Sequence, residues 1–145
     1  IRSQLRNRYE IRRQYASSFF TEISEDQTFS AADEEFVQRL NKYIKDNIAD
    51  QELNVEKITE YMGVSRTTLF NKMSNLIGSS ANKYIRRIRM NEAKELLSKT
   101  DMPIGEIALK TGFSESQYFS TVFKQETGLT PSQFKDQNYK KGTIN

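Results

Sequence analysis

The chain has 145 residues, of which 22 are Lys or Arg and 19 are Asp or Glu, so its formal net charge is +3. It contains no Cys and no His, which excludes disulfides, Cys/His metal sites, Cys nucleophiles, Ser–His catalysis and His general bases. The 6 Gly and 2 Pro are few for an all-β chain, and no apolar run approaches the ~18 residues of a membrane span.

The first predicted element is a helix over residues 1–24, where five arginines surround an interrupted apolar stripe. A polar joint with the sequence SEDQTFS follows and ends at residue 30. Two interpretations stay open: a linker helix that packs on a neighbouring domain or on its own copy, and a basic arm that contacts DNA. Because the chain begins with Ile1 rather than Met, we expect it to be part of a longer protein.

Seven further helices are predicted from apolar residues that recur at spacings of three and four. Ser30 and the acidic residues after it are typical of a capped first turn. The predicted ranges are 31–49, 55–62, 65–76, 81–98, 103–111, 115–126 and 131–137. No segment has the pattern of a β-strand, so the predicted fold class is all-α. The aromatic residues expected in the core are Tyr118, Phe119, Phe123 and Phe134.

The chain repeats itself once, first at an offset of 49 residues and then, after one extra residue, at an offset of 50. The matched pairs are Ile58/Ile107, Gly63/Gly112, Ser65/Ser114, Leu69/Phe119, Met73/Phe123, Gly78/Gly128, Ser80/Thr130 and Tyr84/Phe134. Each copy has a short helix, a Gly that accepts the positive φ of a tight turn, an apolar residue, a capping Ser and a longer helix. This order is typical of a helix-turn-helix, whose second helix enters a DNA major groove. A generic helical hairpin is the alternative, and two copies joined by a basic helix argue against it.

The positive charge is concentrated at the first of these longer helices and at the connecting helix after it. Residues 65–100 carry eight basic and two acidic side chains, whereas residues 31–64 carry four basic and eight acidic ones. Such a cationic block predicts contacts with DNA phosphates, which give a salt-sensitive affinity that does not depend on base sequence. The predicted phosphate contacts are Ser65, Lys72, Lys83, Arg86, Arg87, Arg89, Lys110, Ser114 and Lys124.

Two segments resemble the AraC/XylS family of bacterial transcription regulators. The family signature is similar to IGEIALKTGFSESQYFSTVFKQETGLTPSQF, and the family's first motif with its linker helix is similar to GVSRTTLFNKMSNLIGSSANKYIRRIRMNEAKELL. The resemblance implies two helix-turn-helix subdomains joined by one long helix. The implied organisation is a linker at 1–30, a first subdomain at 31–80, a connecting helix at 81–99, a second subdomain at 100–138 and a tail at 139–145. The implied base contacts are Arg66, Thr67, Phe70, Asn71, Ser116, Gln117, Ser120 and Thr121.

Three positions depart from the family pattern. Asn71 and Thr121 stand where many members carry Arg. Asn can pair with adenine and Thr can contact a thymine methyl, but neither reproduces the guanine contact of Arg. Ala81 stands where the family often has Pro, which predicts a looser start of the long helix in the same fold. For Phe70 two interpretations stay open, a contact with a thymine methyl and packing on the long helix.

The N-terminal sequence IRSQLRNRYEIRRQYASSFF resembles the linker that follows a receiver domain in hybrid two-component proteins. The resemblance implies receiver and sensor domains on the same longer chain and double-stranded DNA as the partner of this module. RNA polymerase and a second copy of the chain, as a homodimer, are the further partners it suggests. No cofactor and no metal are expected. The module is expected in the cytoplasm, and the full-length protein either there or anchored in the inner membrane.

The leading hypothesis is a sequence-specific regulator of transcription. Its two reading helices, the predicted helices at 65–76 and 115–126, would occupy successive major grooves about 34 Å apart. The predicted connecting helix, roughly 27 Å long, is a suitable spacer for such an arrangement. The alternative is a helical protein–protein adaptor whose basic block meets an acidic partner. An enzyme is not expected, because no spacing of acidic residues singles out a catalytic pair of carboxylates.

Overall fold

The structure, a computed structural model, describes residues 30–139, and every regular element within this range is an α-helix. The helices are α1 (Ala31–Asp46), α2 (Val55–Met62), α3 (Arg66–Leu76), α4 (Ala81–Lys99), α5 (Ile104–Lys110), α6 (Ser116–Thr127) and α7 (Pro131–Asn138). The predicted all-α class and the seven predicted helices are confirmed, and each boundary agrees to within three residues. The predicted helix over residues 1–24 and most of the predicted tail lie outside the described residues.

The described chain forms two compact units. Residues 30–46 and 53–87 make up the first unit, and residues 47–52 and 88–139 make up the second. Helix α4 is the connecting helix predicted at 81–99, and its residues are divided between the two units after Arg87. None of the helices in the described range is long and apolar enough to cross a membrane.

The first unit packs the apolar faces of α1, α2 and α3 around the start of α4. Its buried hydrophobic side chains are Phe36, Val37, Leu40, Ile44, Leu53, Ile58, Met62, Leu69, Met73, Leu76, Ile77, Tyr84 and Ile85. A polar pair lies within this core: the hydroxyl of Tyr84 donates a hydrogen bond of 2.7 Å to Oδ1 of Asn41. The amide of Asn41 in turn donates to the carbonyl of Val37, so this buried side chain is both a donor and an acceptor.

The second unit has a core that is rich in aromatic residues. Its buried members are Met90, Ala93, Leu97, Ile107, Ala108, Phe113, Phe119, Val122 and Phe123. Phe134 is half-buried and packs edge-on against Phe123, with ring centroids 5.4 Å apart. The core positions predicted for these aromatic residues are therefore confirmed, except for that of Tyr118, which is 54% exposed. On α6 the core face is formed by residues 119, 122 and 123, and residue 118 precedes this face.

Both turn glycines have the left-handed backbone that the repeat predicted. Gly63 has φ +72° and Gly112 has φ +91°. At the first turn the amides of Gly63 and Val64 both donate to the carbonyl of Thr59, which satisfies the end of α2 and redirects the chain. The two glycines therefore set the angle at which each second helix leaves its turn.

The helix caps differ between the two copies. Ser65 accepts a hydrogen bond from the amide of Thr68 and caps α3, as predicted. The predicted cap of α6 by Ser114 is wrong, because α6 begins one residue later with Glu115 in the N-cap position and no capping side-chain hydrogen bond within the described chain. The physical reason is the extra residue between the copies, which lengthens the turn and moves Ser114 out of capping position.

Candidate nucleic-acid interface

Helix α3 has one face in the core and an opposite face in solvent. Leu69 and Met73 are buried and fasten the helix to the first unit. The four predicted base contacts of this helix lie at positions i, i+1, i+4 and i+5, which share one face of a helix. All four side chains are exposed: Arg66, Thr67, Phe70 and Asn71. The sequence thus places cationic, hydroxyl, aromatic and amide groups together on a surface that a base edge could meet.

Phe70 borders an open groove beside α3. The groove is lined by Val55, Arg66, Thr67, Leu69, Phe70, Ser80, Ala81 and Asn82. The side chain of Phe70 is 65% exposed, so packing against the first residues of α4 covers only a part of the ring. The ring is therefore accessible to a ligand, and a contact with a thymine methyl group stays a prediction.

Arg66 has a weak partner within the protein. Its guanidinium lies 3.6 Å from a carboxylate oxygen of Glu56, and both side chains are largely exposed. An exposed ion pair of this kind contributes little to stability, because water and salt screen it. The pair therefore leaves Arg66 able to exchange its partner for a base or a phosphate.

Helix α6 repeats this arrangement in the second unit. Phe119, Val122 and Phe123 are buried, whereas the predicted base contacts lie on the exposed side. Ser116, Gln117 and Thr121 are exposed, and Ser120 is half-buried. The hydroxyl of Thr121 donates to the carbonyl of Gln117 at 3.1 Å, so this hydroxyl bonds to its own helix. Its methyl group is then the part of Thr121 that is available for an apolar contact with a thymine.

Tyr118 is a surface residue of α6 that sequence reasoning placed in the core. Its ring lies 5.8 Å from that of Phe113 and the side chain is half exposed. It directly follows Gln117, so its phenol reaches solvent next to the predicted base contacts. The helical periodicity could have predicted this exposure, because residues 119, 122 and 123 already complete the i, i+3, i+4 pattern of the core face.

The predicted phosphate contacts fall into two groups in the structure. Those on exposed positions are Ser65, Lys83, Arg86, Lys110, Ser114 and Lys124, and Arg87 is half-buried. Lys83, Arg86 and Arg87 lie on the part of α4 that belongs to the first unit. Lys110 lies in the last turn of α5, and Lys124 lies in the last turn of α6. The two remaining residues, Lys72 and Arg89, are half-buried and lie against rings and oxygen atoms of their own units.

Lys72 is turned towards α1. Its ammonium lies 3.6 Å from Oδ1 of Asp33 and 5.3 Å from the centre of the Phe36 ring. Asp33 also pairs with Ser30 at the start of α1, so the lysine is held where the acidic first turn of that helix begins. The phosphate contact predicted for Lys72 stays a prediction, and a phosphate would have to compete with a charge and a ring of the same unit for this ammonium.

Arg89 is half-buried within the second unit. Its Nη2 donates to the backbone carbonyl of Asp50 at 2.8 Å, and its guanidinium carbon lies 6.0 Å from the centre of the Phe113 ring. Burial lowers the pKa of this guanidinium from its ordinary value, and the nearby carboxylate of Asp50 opposes that shift. The phosphate contact predicted for Arg89 likewise stays a prediction, and its guanidinium already has a carbonyl and a ring of the second unit as neighbours.

The family model for the helix-turn-helix domain matches residues 58–137, which include both turns, both reading helices and α4. The chain is 32% identical over 136 residues to histidine kinase P4 of Formosa agariphila, an alignment that covers 94% of this chain and 10% of that protein. It is 33% identical over 99 residues to the arabinose operon regulatory protein of Escherichia coli, covering 68% of this chain and 34% of that protein. This chain thus spans about a tenth of the length of the first relative and about a third of the length of the second.

The fold has a close counterpart among solved structures. The C-terminal domain of AraT, a response regulator from Geobacillus stearothermophilus, superposes with a TM-score of 0.70 at 30% sequence identity. The superposition covers 82% of this chain and 95% of that domain. The family match, the duplicated turn and the two exposed reading faces agree with one another. The chain therefore belongs to the AraC/XylS-type family of helix-turn-helix DNA-binding domains.

Proposed function

We propose that this chain binds double-stranded DNA at specific sequences and thereby regulates transcription. The observation that carries the proposal is the duplicated reading helix. In each copy a left-handed Gly sets the turn, apolar residues fasten the second helix, and mainly polar side chains, joined on α3 by Phe70, occupy its exposed N-terminal face. A helix presented in this way fits the major groove, where base edges carry a distinct pattern of donors and acceptors.

The contacts divide into reading and positioning groups. The reading group consists of Arg66, Thr67, Phe70 and Asn71 on α3, and of Ser116, Gln117, Ser120 and Thr121 on α6. The phosphate group consists of Ser65, Lys83, Arg86, Arg87, Lys110, Ser114 and Lys124. We leave Lys72 and Arg89 out of this proposed group because each is half-buried and lies against an aromatic ring as well as an oxygen atom of its own unit. Tyr118 joins the residues to be tested, since its phenol is exposed beside Gln117.

The two reading helices are proposed to occupy successive major grooves on one face of the DNA. The centres of successive grooves are about 34 Å apart. Helix α4 has 19 residues, which corresponds to a length of about 28 Å. A connecting helix of this length supports a binding site that extends over about two turns of the duplex.

The chain is further proposed to be the output module of a phosphorelay protein. The relative named as a histidine kinase and the counterpart named as a response regulator support this role. Receiver and sensor domains on the same longer chain would then control when the module binds DNA, with a homodimer and RNA polymerase as further partners. The module acts in the cytoplasm in this proposal.

The test begins with selection of bound sequences from a random pool of DNA duplexes. Affinity for the selected sequence and for a scrambled duplex is then measured at several salt concentrations. A preference for the selected site together with a steep salt dependence is expected. Absence of binding at low salt would overturn the proposal in favour of a protein adaptor, and equal affinity for both duplexes would remove the claim of sequence specificity.

Two variants separate the reading group from the phosphate group. Gln117→Ala should relax discrimination at one or two base pairs, each worth about 1–3 kcal/mol, with little effect on scrambled DNA. Arg86→Ala should weaken binding to both duplexes evenly and reduce the salt slope by about 1. Equal losses on both duplexes for Gln117→Ala, or a loss confined to one base pair for Arg86→Ala, would contradict the assigned roles.

A further inference from the structure

Arg89 connects three segments of the second unit. It lies on α4, its Nη2 donates to the carbonyl of Asp50 in the 47–52 segment, and its guanidinium faces the Phe113 ring in the turn before α6. The Nε atom is buried and has no hydrogen-bond partner among the described residues. A guanidinium held between a backbone carbonyl and an aromatic ring stays in a defined plane, which a more flexible ammonium would not do.

The turn glycine lies directly against this guanidinium. A Cβ built on Gly112 would stand 2.6 Å from Nε and 2.7 Å from the guanidinium carbon of Arg89, and 2.5 Å from the carbonyl oxygen of Ile48. Real Cβ atoms do not approach other atoms so closely. The backbone of the turn, the guanidinium and the 47–52 segment are thus in contact, and a shift of one of them requires a shift of the others.

We propose that Arg89 is a positioning residue for the second reading helix, holding the Gly112–Phe113 turn against α4 and the 47–52 segment. This inference rests on the proposed DNA-binding function, because α6 matters as a reading helix only when it meets DNA. The turn precedes α6 by a few residues, so its position determines where Ser116 and Gln117 stand. The counterpart of Gly112 in the first unit, Gly63, has nothing within 4 Å of a built Cβ, so the contact belongs to the second turn.

The test compares Arg89→Ala with Arg86→Ala, which removes the same side chain one turn earlier on the same helix. Binding is measured on the selected operator as a function of salt, with footprinting of the two half-sites. For Arg89→Ala we expect affinity to fall about tenfold, with an unchanged salt slope and weaker protection of the α6 half-site alone. For Arg86→Ala we expect the slope to fall by about 1. A fall in slope for Arg89→Ala, or even protection of both half-sites, would overturn the positioning role.

A second measurement does not depend on DNA. In the free protein, Arg89→Ala should speed amide hydrogen exchange at residues 112–117 and leave residues 63–68 unchanged. Unchanged exchange at 112–117 would overturn the positioning role even if the protein bound no DNA. If exchange were accelerated in the variant but the unsubstituted protein bound no DNA, the proposed function would be refuted, whereas the structural role of Arg89 at the turn would stand.

Arg89→Lys keeps the positive charge and most of the side-chain stem, so it guards against a truncated variant that fails to fold. It should fold and retain the salt slope, yet still show weak protection of the α6 half-site, because an ammonium lacks the guanidinium plane. Full recovery of protection by Lys would overturn the role assigned to that plane.

Discussion

Gly63 and Gly112 occupy equivalent turn positions, yet they are constrained to different degrees. Both have a positive φ, which costs a residue with a Cβ about 1–2 kcal/mol. At Gly63 the space around a built Cβ is open. At Gly112 the same atom would meet a backbone carbonyl and a guanidinium, so conformation and space both require glycine there. The repeat in the sequence identifies the two positions but does not distinguish them.

This difference predicts unequal costs for the same substitution. Gly63→Ala should lower the free energy of unfolding by about 1–2 kcal/mol, which is the conformational cost by itself. Gly112→Ala should cost clearly more, because the carbonyl of Ile48 is backbone and cannot rotate away. Urea unfolding of the two variants measures the comparison.

Gly105→Ala is the matched control for these variants. Gly105 lies within α5, has open space around its Cβ position and has no positive φ. Alanine there should be neutral or stabilising by up to about 1 kcal/mol. If Gly112→Ala destabilised the protein no more than Gly63→Ala, the tight contact with Ile48 and Arg89 would be refuted.

At the scale of helices, the two reading helices start differently although they descend from one repeat pattern. The N-cap of α3 is Ser65, whose hydroxyl accepts a hydrogen bond from the amide of Thr68. The N-cap of α6 is Glu115, whose longer side chain makes no such bond within the described residues. Because uncapped amides at a helix start are left to solvent, α6 lacks a contribution that α3 has.

The capping difference predicts opposite effects of two small changes. Ser65→Ala should lower the free energy of unfolding by about 1 kcal/mol, since the Thr68 amide loses its acceptor. Glu115→Asp should raise it by about 0.5–1 kcal/mol, because the shorter carboxylate has the reach of a good cap and keeps the same charge. Chemical denaturation gives both values. A destabilised Glu115→Asp variant would show that the N-cap geometry of α6 does not accept a side-chain cap.

For the whole molecule, the distribution of charge matters more than the net charge of +3. The proposed DNA contacts use arginines, lysines and neutral polar groups, and the chain contains no histidine. Histidine is the side chain whose ordinary titration falls near neutral pH. The proposed interface should therefore keep its charge across that range, in contrast to its strong dependence on salt.

This predicts that affinity for the selected operator is nearly flat between about pH 6 and pH 8, when ionic strength is held constant. Fluorescence anisotropy with labelled duplex over that range measures it, and a salt series at one pH serves as the positive control. A change of tenfold or more within this window would contradict the proposed set of contacts and would point to a titrating group that the charge inventory does not provide.

The sequence alone was sufficient to predict the helices and the solvent-exposed faces of α3 and α6. Apolar spacing located seven helices, the repeat located both turn glycines, and the family resemblance implied the base contacts on α3 and α6. These properties depend on residues three to five positions apart, where helical geometry alone relates one side chain to the next. The N-cap position of Glu115 was missed because one inserted residue changed the register of the turn.

The tertiary structure decided whether an individual charged or aromatic side chain is exposed to solvent or held by a neighbour. Lys72 meets Asp33 and Arg89 meets the carbonyl of Asp50, partners from distant parts of the chain that no local pattern relates. In the sequence alone, every cationic residue of a basic block is an equally good candidate for a phosphate contact. Packing determines which cations remain at the surface and which are held by neighbours, because burial of a charge requires a partner that only the folded chain supplies.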